Sequence, residues 1–267
     1  MSEETKLLGS TDPHPFTVIN EDGKSNCLII CDHASNTVPA KLNKLGLSDD
    51  ILEQHVGIDI GTEEIGRYLS QALDATMVMA NYSRLVIDLN RGTDHPTSIP
   101  PVSDHINIPG NVDMDPADKQ GRIDEIYTPY HNAIEQACLN IRERGQLPFI
   151  ISVHSFTNEM DGFKRPWEIG ILWDDDDFVP KNVMANIAKM RPDFTVGDNK
   201  PYCIKESKLF NNTIERHAVQ HGYPYIIPEF RQDLTSDPAK AEELAQIFLD
   251  AILPVIDHAD SYRNIVG

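Results

Sequence analysis

Two apolar runs in this chain each end on a histidine. LIICDHASNTVPA, residues 28–40, stops at Asp32-His33-Ala34-Ser35-Asn36, and FIISVHSF, residues 149–156, ends in His154-Ser155. Imidazoles at the ends of two buried strands can hold one metal ion between them, and an open zinc site then needs a third, harder ligand. Asp59 in HVGIDIG, Asn36 three residues after His33, and His55, one turn before Asp59 if that segment is helical, are the candidates. A carboxylate outranks an amide oxygen as a zinc ligand, which favours Asp59. The ordinary role for Asp59, placed just before a helix start, is an N-terminal cap. For either histidine alone, the ordinary role is a hydrogen-bonded structural one.

Glu229 stands inside the apolar stretch IIPEFRQDL. An unpaired charge buried there is costly. It is either the ion-pair partner of Arg231 or another cation, or a general base that takes a proton from metal-bound water and passes it to a leaving amine. SRLVIDLNR carries Arg84, Asp88, Asn90 and Arg91. Strand alternation would put Arg84, Asp88 and Asn90 on one face. Arginine grips a carboxylate through two parallel hydrogen bonds and can also stabilise an oxyanion. Arg216-His217 in TIERHA adds a cation and a donor, with an exposed helix face as the ordinary alternative for Arg216.

These residues need strands to present them. NCLIICD (26–32), apolar on both faces, reads as a central parallel strand. LPFIISVHSF, EIGILWD and YPYIIPEFRQ read as further central strands, and TMVMANYSRLVIDLNR (76–91) as one or two more. Helices are expected over 60–73, with Thr62 as N-cap, and over 121–145, kinked near Pro129. A helix or turn-helix covers KESKLFNNTIERHAVQHG, and a last helix runs from Asp237-Pro238 to about Asp257. Residues 92–121, rich in Pro, Gly, Asp and Asn, read as a long loop. The alternation of strands and helices predicts one α/β domain over 26–267, with residues 1–25 as a loose arm.

The chain has 267 residues and a formal net charge of −19, which argues against nucleic acid or an anionic membrane surface as partner. A small anionic substrate stays compatible, because clustered arginines can reverse the field locally. The N-terminus lacks the basic and apolar segments of a signal peptide, and no run approaches a membrane span. Cys27, Cys31, Cys138 and Cys203 show no CxxC spacing and read as reduced thiols of a cytoplasmic protein, a monomer or small homo-oligomer.

In order, CDHASNTVP, HVGIDIG, YSRLVIDLNR, PYH, VHSF, RPWEIGILW, TIERHA and PEFRQDL resemble the N-formylglutamate amidohydrolase family, over about residues 26–250. The resemblance implies a single three-layer domain, a mixed, mostly parallel sheet flanked by helices, related to zinc carboxypeptidases and aspartoacylase. It implies metal-dependent hydrolysis of the amide of N-formyl-L-glutamate or a similar N-acyl amino acid. Where those relatives carry a glutamate ligand three residues after the first histidine, this chain has Asn36, so the implied ligand set is His33, Asp59 and His154 around one divalent ion, zinc. Glu229 matches the catalytic glutamate, Arg84 the oxyanion arginine, and Asn90-Arg91 the carboxylate grip, with Arg216 and His217 left for the γ-carboxylate of glutamate. The alternatives are a deacylase or carboxypeptidase-like hydrolase on another substrate, or a non-catalytic small-molecule-binding protein with this fold.

Overall fold

The computed structural model describes residues 6–174, 177–203 and 212–266. One eight-stranded sheet organises it: β1 (Phe16–Ile19), β2 (Cys27–Cys31), β3 (Thr76–Ala80), β4 (Phe149–Ser152), β5 (His154–Phe156), β6 (Ile169–Leu172), β7 (Val196–Asp198) and β8 (Tyr225–Arg231). The order is β1-β3-β2-β4-β8-β6-β7, with β5 continuing beside β8. The strands β3, β2, β4, β5 and β8 run parallel; β1 is antiparallel to β3, and β6, itself parallel to β7, is antiparallel to β8. Pro228 has no N–H to give a ladder, and it sits where β8 changes parallel partners, after Ile226 on β4 and before Glu229 on β5.

Alternation along β2 shows why the sheet is buried on both faces. Leu28 and Ile30 pack with Tyr130, Ile134 and Ile141, whereas Cys27, Ile29 and Cys31 pack with Ile65, Leu69 and Phe248. The first layer is carried by helix α2 (Thr128–Glu143), and the second by α1 (Thr62–Leu73), α3 (Phe178–Met190) and α5 (Pro238–Val266), with the short α4 (Asn212–His217) beside α2. The protein is thus a single α/β domain with a mixed, mostly parallel sheet between helical layers.

Several elements differ from the sequence reading. Phe16–Ile19, inside the expected loose arm, is an edge strand paired with β3. Its half-buried FTVI is only four residues long, too short a run to stand out from the arm. The N-cap of α1 is Gly61 rather than Thr62, at φ +83°, a left-handed conformation that glycine adopts without strain. A side chain there would also meet Thr235, whose Cβ would lie 2.4 Å away. Ahead of Pro129, residues Ile123–Tyr127 form a π-helical turn, which accommodates the proline's missing donor without a break. The 92–121 loop contains a small hairpin (Val102–Ser103 with Ile106–Asn107) and the start of a helix at Pro116. The last helix begins where expected, with Asp237 Oδ1 accepting from the N–H of Ala239 at 3.0 Å, but runs on to Val266. Of the expected helix over KESKLFNNTIERHAVQHG, α4 begins at Asn212, and the preceding part lies outside the described residues.

Candidate metal centre and catalytic cavity

β2 and β4 are parallel neighbours, with Ile30 opposite Ser152, so His33 and His154 follow at the same edge of the sheet. Their rings lie 5.2 Å apart, centroid to centroid. Asp59 arrives from the segment before α1, its backbone N–H donating to the His33 carbonyl at 3.0 Å. Nδ1 of His33 is 3.2 Å, and Nδ1 of His154 2.9 Å, from the same Asp59 oxygen, Oδ2. One ligand atom from each of the three lies within 4.8 Å of the others, and all three residues are buried.

The opposite ring nitrogens are held as well. His33 Nε2 is 2.8 Å from Asp88 Oδ1. His154 Nε2 is 3.2 Å from Ser152 Oγ and 3.7 Å from Asp32 Oδ2. The Tyr130 hydroxyl donates to Asp32 Oδ1 at 2.8 Å, while Asp32 Oδ2 has no hydrogen-bond partner among the described residues. Two imidazoles and a carboxylate converging, each ring oriented from behind by an acidic or hydroxyl group, is a donor set that fits a divalent ion.

The electrostatics agree with a place built for positive charge. Burial and Arg84 oppose protonation of His33, but Asp88 and Asp59 outweigh them and raise its pKa to about 9. Burial opposes the Asp59 carboxylate too, yet His33, His154 and Arg84 hold it well below the usual range. Asp88 is likewise depressed against its burial by His33 and Arg84.

Arg84 bridges the cluster, donating to Asp59 Oδ1 at 3.1 Å and to Asp88 Oδ2 at 3.0 Å. It does so from irregular turns, not from the expected strand: after β3 ends at Ala80 the chain runs in turns and bends through Arg91. Side chains fix that course. Ser83 Oγ donates to the Gly57 carbonyl at 2.7 Å, and Asn111 Nδ2 to the Leu85 carbonyl at 2.9 Å. Arg122, fully buried, donates to the Val86 carbonyl at 2.8 Å. Burial pulls the Arg122 pKa down to about 10. The turn, rather than strand alternation, brings Arg84 and Asp88 together.

Asn90 and Arg91 close one wall. The Asn90 N–H donates to Asp88 Oδ1 at 2.9 Å, and its Oδ1 accepts from the N–H of Thr213 at 3.1 Å, at the start of α4. Arg91 Nη1 donates to the Asn90 carbonyl at 2.9 Å and Nε to Thr97 Oγ1 at 3.3 Å.

Glu229 enters from β8, where it is the register partner of His154 on one side and of Gly170 on the other. Its Oε2 is buried without a hydrogen-bond partner among the described residues. Arg231 is occupied elsewhere, with Glu168 at 3.3 Å and Asp233 at 2.7 Å, so the structure does not bear out an ion pair between Glu229 and Arg231. Burial pushes the Glu229 pKa up to about 7, helped by Asp59 and opposed by His154, Arg84 and Arg165. That value suits a group that must both accept and return a proton near neutrality.

His33, Asp59, Arg84, Asn90, Arg91, His154 and Glu229 all line one cavity of about 460 Å³. His55 lines it too, but pairs with Asp104 at 2.8 Å and does not join the metal triad. Asn36 does not line it, but lies in a smaller depression with Glu53 and Glu63 that shares only Asp59 with the cavity. Arg216 and His217 do not line the cavity. Arg216 faces the Tyr127 hydroxyl. His217 is buried on His131, whose Nε2 lies 3.0 Å from the Leu89 carbonyl and must therefore carry the proton. His131 Nδ1 then accepts from His217 Nε2–H at 2.9 Å. Neither Arg216 nor His217 therefore joins Glu229 in the cavity. Conversely, Asp88, Asp32 and Arg122 orient the site without having been assigned roles; adjacency to His33 signals Asp32 and adjacency to Asn90-Arg91 signals Asp88, whereas nothing local signals Arg122.

The N-formylglutamate amidohydrolase family model matches residues 25–236. The structure resembles the gene product Atu2144 from Agrobacterium tumefaciens with a TM-score of 0.90 and 30% identity, over 96% of this chain and 100% of that one. It resembles N-formylglutamate amidohydrolase from Ralstonia eutropha JMP134 with a TM-score of 0.59 and 19% identity, over 94% and 99%. No curated protein matches the sequence. With the family's model matching most of the length, this chain belongs to the N-formylglutamate amidohydrolase family.

Proposed function

We propose that the protein hydrolyses the amide bond of a small anionic N-acyl amino acid, N-formyl-L-glutamate or a similar compound, to a carboxylic acid and the free amino acid. The observation that carries this reading is the convergence of His33, Asp59 and His154 with Glu229 and Arg84 in one cavity. His33, Asp59 and His154 would hold one divalent ion, zinc. Bound there, it supplies Lewis-acid chemistry, polarising an acyl oxygen and acidifying water. Glu229 takes a proton from the attacking water as the carbon–oxygen bond forms. It returns that proton to the amide nitrogen as the carbon–nitrogen bond breaks, so the amine leaves neutral. Arg84 donates toward the oxyanion that develops on the acyl oxygen. Arg91, with Asn90, holds the α-carboxylate, fixing the scissile bond against Glu229. Asp88 keeps the His33 ring in register from behind.

Among the described residues no helix is long and apolar enough to cross a membrane. Cys27, Cys31 and Cys138 are buried and Cys203 is half-buried, in keeping with the reading of reduced thiols in a cytoplasmic setting. The test is formate release from a panel of N-formyl amino acids by the zinc-supplied protein, with and without a chelator. Release abolished by the chelator and restored by zinc is expected. No release from any member, or release indifferent to the chelator, overturns the reading.

A further inference from the structure

We infer that the Tyr202 hydroxyl, held by the Arg165 guanidinium, is a second donor beside Arg84 to the oxyanion that develops on the acyl oxygen. This rests on the proposed reaction and adds a catalytic group to it. Tyr202 lines the cavity together with Arg84, His154 and Glu229. Its chain segment is seated on the sheet next to the proposed base. Gly170 is the register partner of Glu229, and the Lys200 carbonyl lies where a Gly170 side chain would begin. A Cβ there would be 1.9 Å from that carbonyl oxygen and 3.4 Å from the Glu229 Cβ. Glycine at this position is what lets the backbone before Tyr202 come down beside Glu229. Asn199 pins the same segment to β6 and the residue after it. Its N–H donates to the Ile171 carbonyl at 3.0 Å, and its Oδ1 accepts from the Trp173 N–H at 2.9 Å.

Arg165 supplies the support. Phe156 follows His154 by two residues on β5 and so shares its face. The Arg165 guanidinium lies 5.8 Å from the centre of the Phe156 ring and 5.1 Å from that of Tyr202, so a cation is held against both rings. Nη1 donates to the Thr157 carbonyl at 3.2 Å and to the Tyr202 hydroxyl at 3.4 Å, and Nη2 to Met160 Sδ at 3.1 Å. None of these partners is a carboxylate, so the charge of this buried arginine is not cancelled by them. A guanidinium has no acceptor. The phenol oxygen therefore accepts in that contact and keeps its own proton to give. Burial, then Glu229, push the phenol pKa up against Arg165 and Arg84, so Tyr202 stays a neutral donor at pH 7. Glu229 and Arg84, the groups assigned to the attacking water and the acyl oxygen, both act on it electrostatically, which puts the phenol at the reacting end of the cavity. Accepting from a cation strengthens the phenol as a donor, and a donor in place before charge develops favours the transition state.

The experiment measures kcat and KM of the zinc-supplied wild type, Tyr202→Phe, Arg165→Met and the double variant on the N-formyl amino acid hydrolysed fastest. Tyr202→Phe removes one oxygen from a ring that is 45% exposed and leaves its packing on Arg165. It is expected to lower kcat by roughly 10²–10³-fold, the usual cost of losing one oxyanion donor, with KM little changed. Arg165 is a positioning residue, so Arg165→Met should lower kcat by less and should cost almost nothing further in the double variant. Normal kcat in Tyr202→Phe, or a raised KM with kcat intact, overturns the inference and leaves the proposed reaction standing. The second of these results would assign the hydroxyl to holding a substrate carboxylate. Losses that multiply in the double variant overturn the role of Arg165. Failure of the wild type to hydrolyse any N-formyl amino acid overturns the reaction and the inference with it.

Discussion

Glu229 and His154 are register partners on adjacent parallel strands, β8 and β5. A proposed base and a proposed metal ligand therefore share one backbone ladder, and their separation is set by sheet geometry rather than by a loop. The Glu229 carboxyl is buried, and its Oε2 has no partner among the described residues. Such a group is expensive to keep, and proton transfer gives it a use.

Replacing Glu229 with Gln keeps the volume and removes the proton acceptor. Turnover should fall by roughly 10²–10⁴-fold, the usual worth of general acid–base catalysis, with metal content unchanged. Near-normal turnover of Glu229→Gln would place the base elsewhere.

Asp88 lies 2.8 Å behind His33 and also accepts from Arg84 and from the Asn90 N–H. Asp88→Asn should weaken zinc affinity by about 10–100-fold, as loss of such a supporting carboxylate does elsewhere. Competitive titration against a chromogenic chelator reads this directly. Unchanged affinity would mean that the contact with His33 does not tune the site.

Arg91→Lys keeps the charge but loses the planar fork. Losing charge-assisted hydrogen bonds of about 1.5–3 kcal/mol should weaken substrate binding by roughly 10- to 150-fold. The effect should be much smaller on a substrate whose α-carboxylate is blocked as an amide. Equal losses on both substrates would show that Arg91 does not read the carboxylate.

The buried His131–His217 pair makes stability depend on pH. Burial first, then Arg216 and His221, lower the His217 pKa to about 3. Burial and His217 hold His131 well below its usual value. Unfolded histidine titrates near about 6.5. Between that value and the folded one, the unfolded chain binds protons that the native state does not, so stability rises with pH across the window and is lost as pH falls through it. His217→Gln keeps a donor for His131 and removes one such group. Its melting temperature should fall less between pH 6.5 and 4 than the wild type's. Parallel slopes would contradict the assignment.

The parts legible in the sequence are those that depend on local pattern. Apolar runs ending in His33 and His154 were readable because a buried parallel strand is apolar on both faces and its carboxyl end is where side chains meet a cleft. Glu229 was readable as a charge inside such a run. What depended on long-range closure was not. The course of residues 81–91 is fixed by Ser83 on Gly57, Asn111 on Leu85 and Arg122 on Val86, contacts between segments far apart in sequence. Strand alternation is therefore not what joins Arg84 to Asp88, although both belong to one cluster. His217 reads as a free donor in sequence, but folding spends it on His131, 86 residues away.

The central claim is that His33, Asp59 and His154 form one metal site, and metal analysis of purified protein after zinc loading and dialysis tests it most directly. About one zinc per chain is predicted for the wild type, and close to none for the His33→Ala/His154→Ala double variant, with circular dichroism confirming that the variant stays folded. Full zinc occupancy in the folded double variant would contradict the claim.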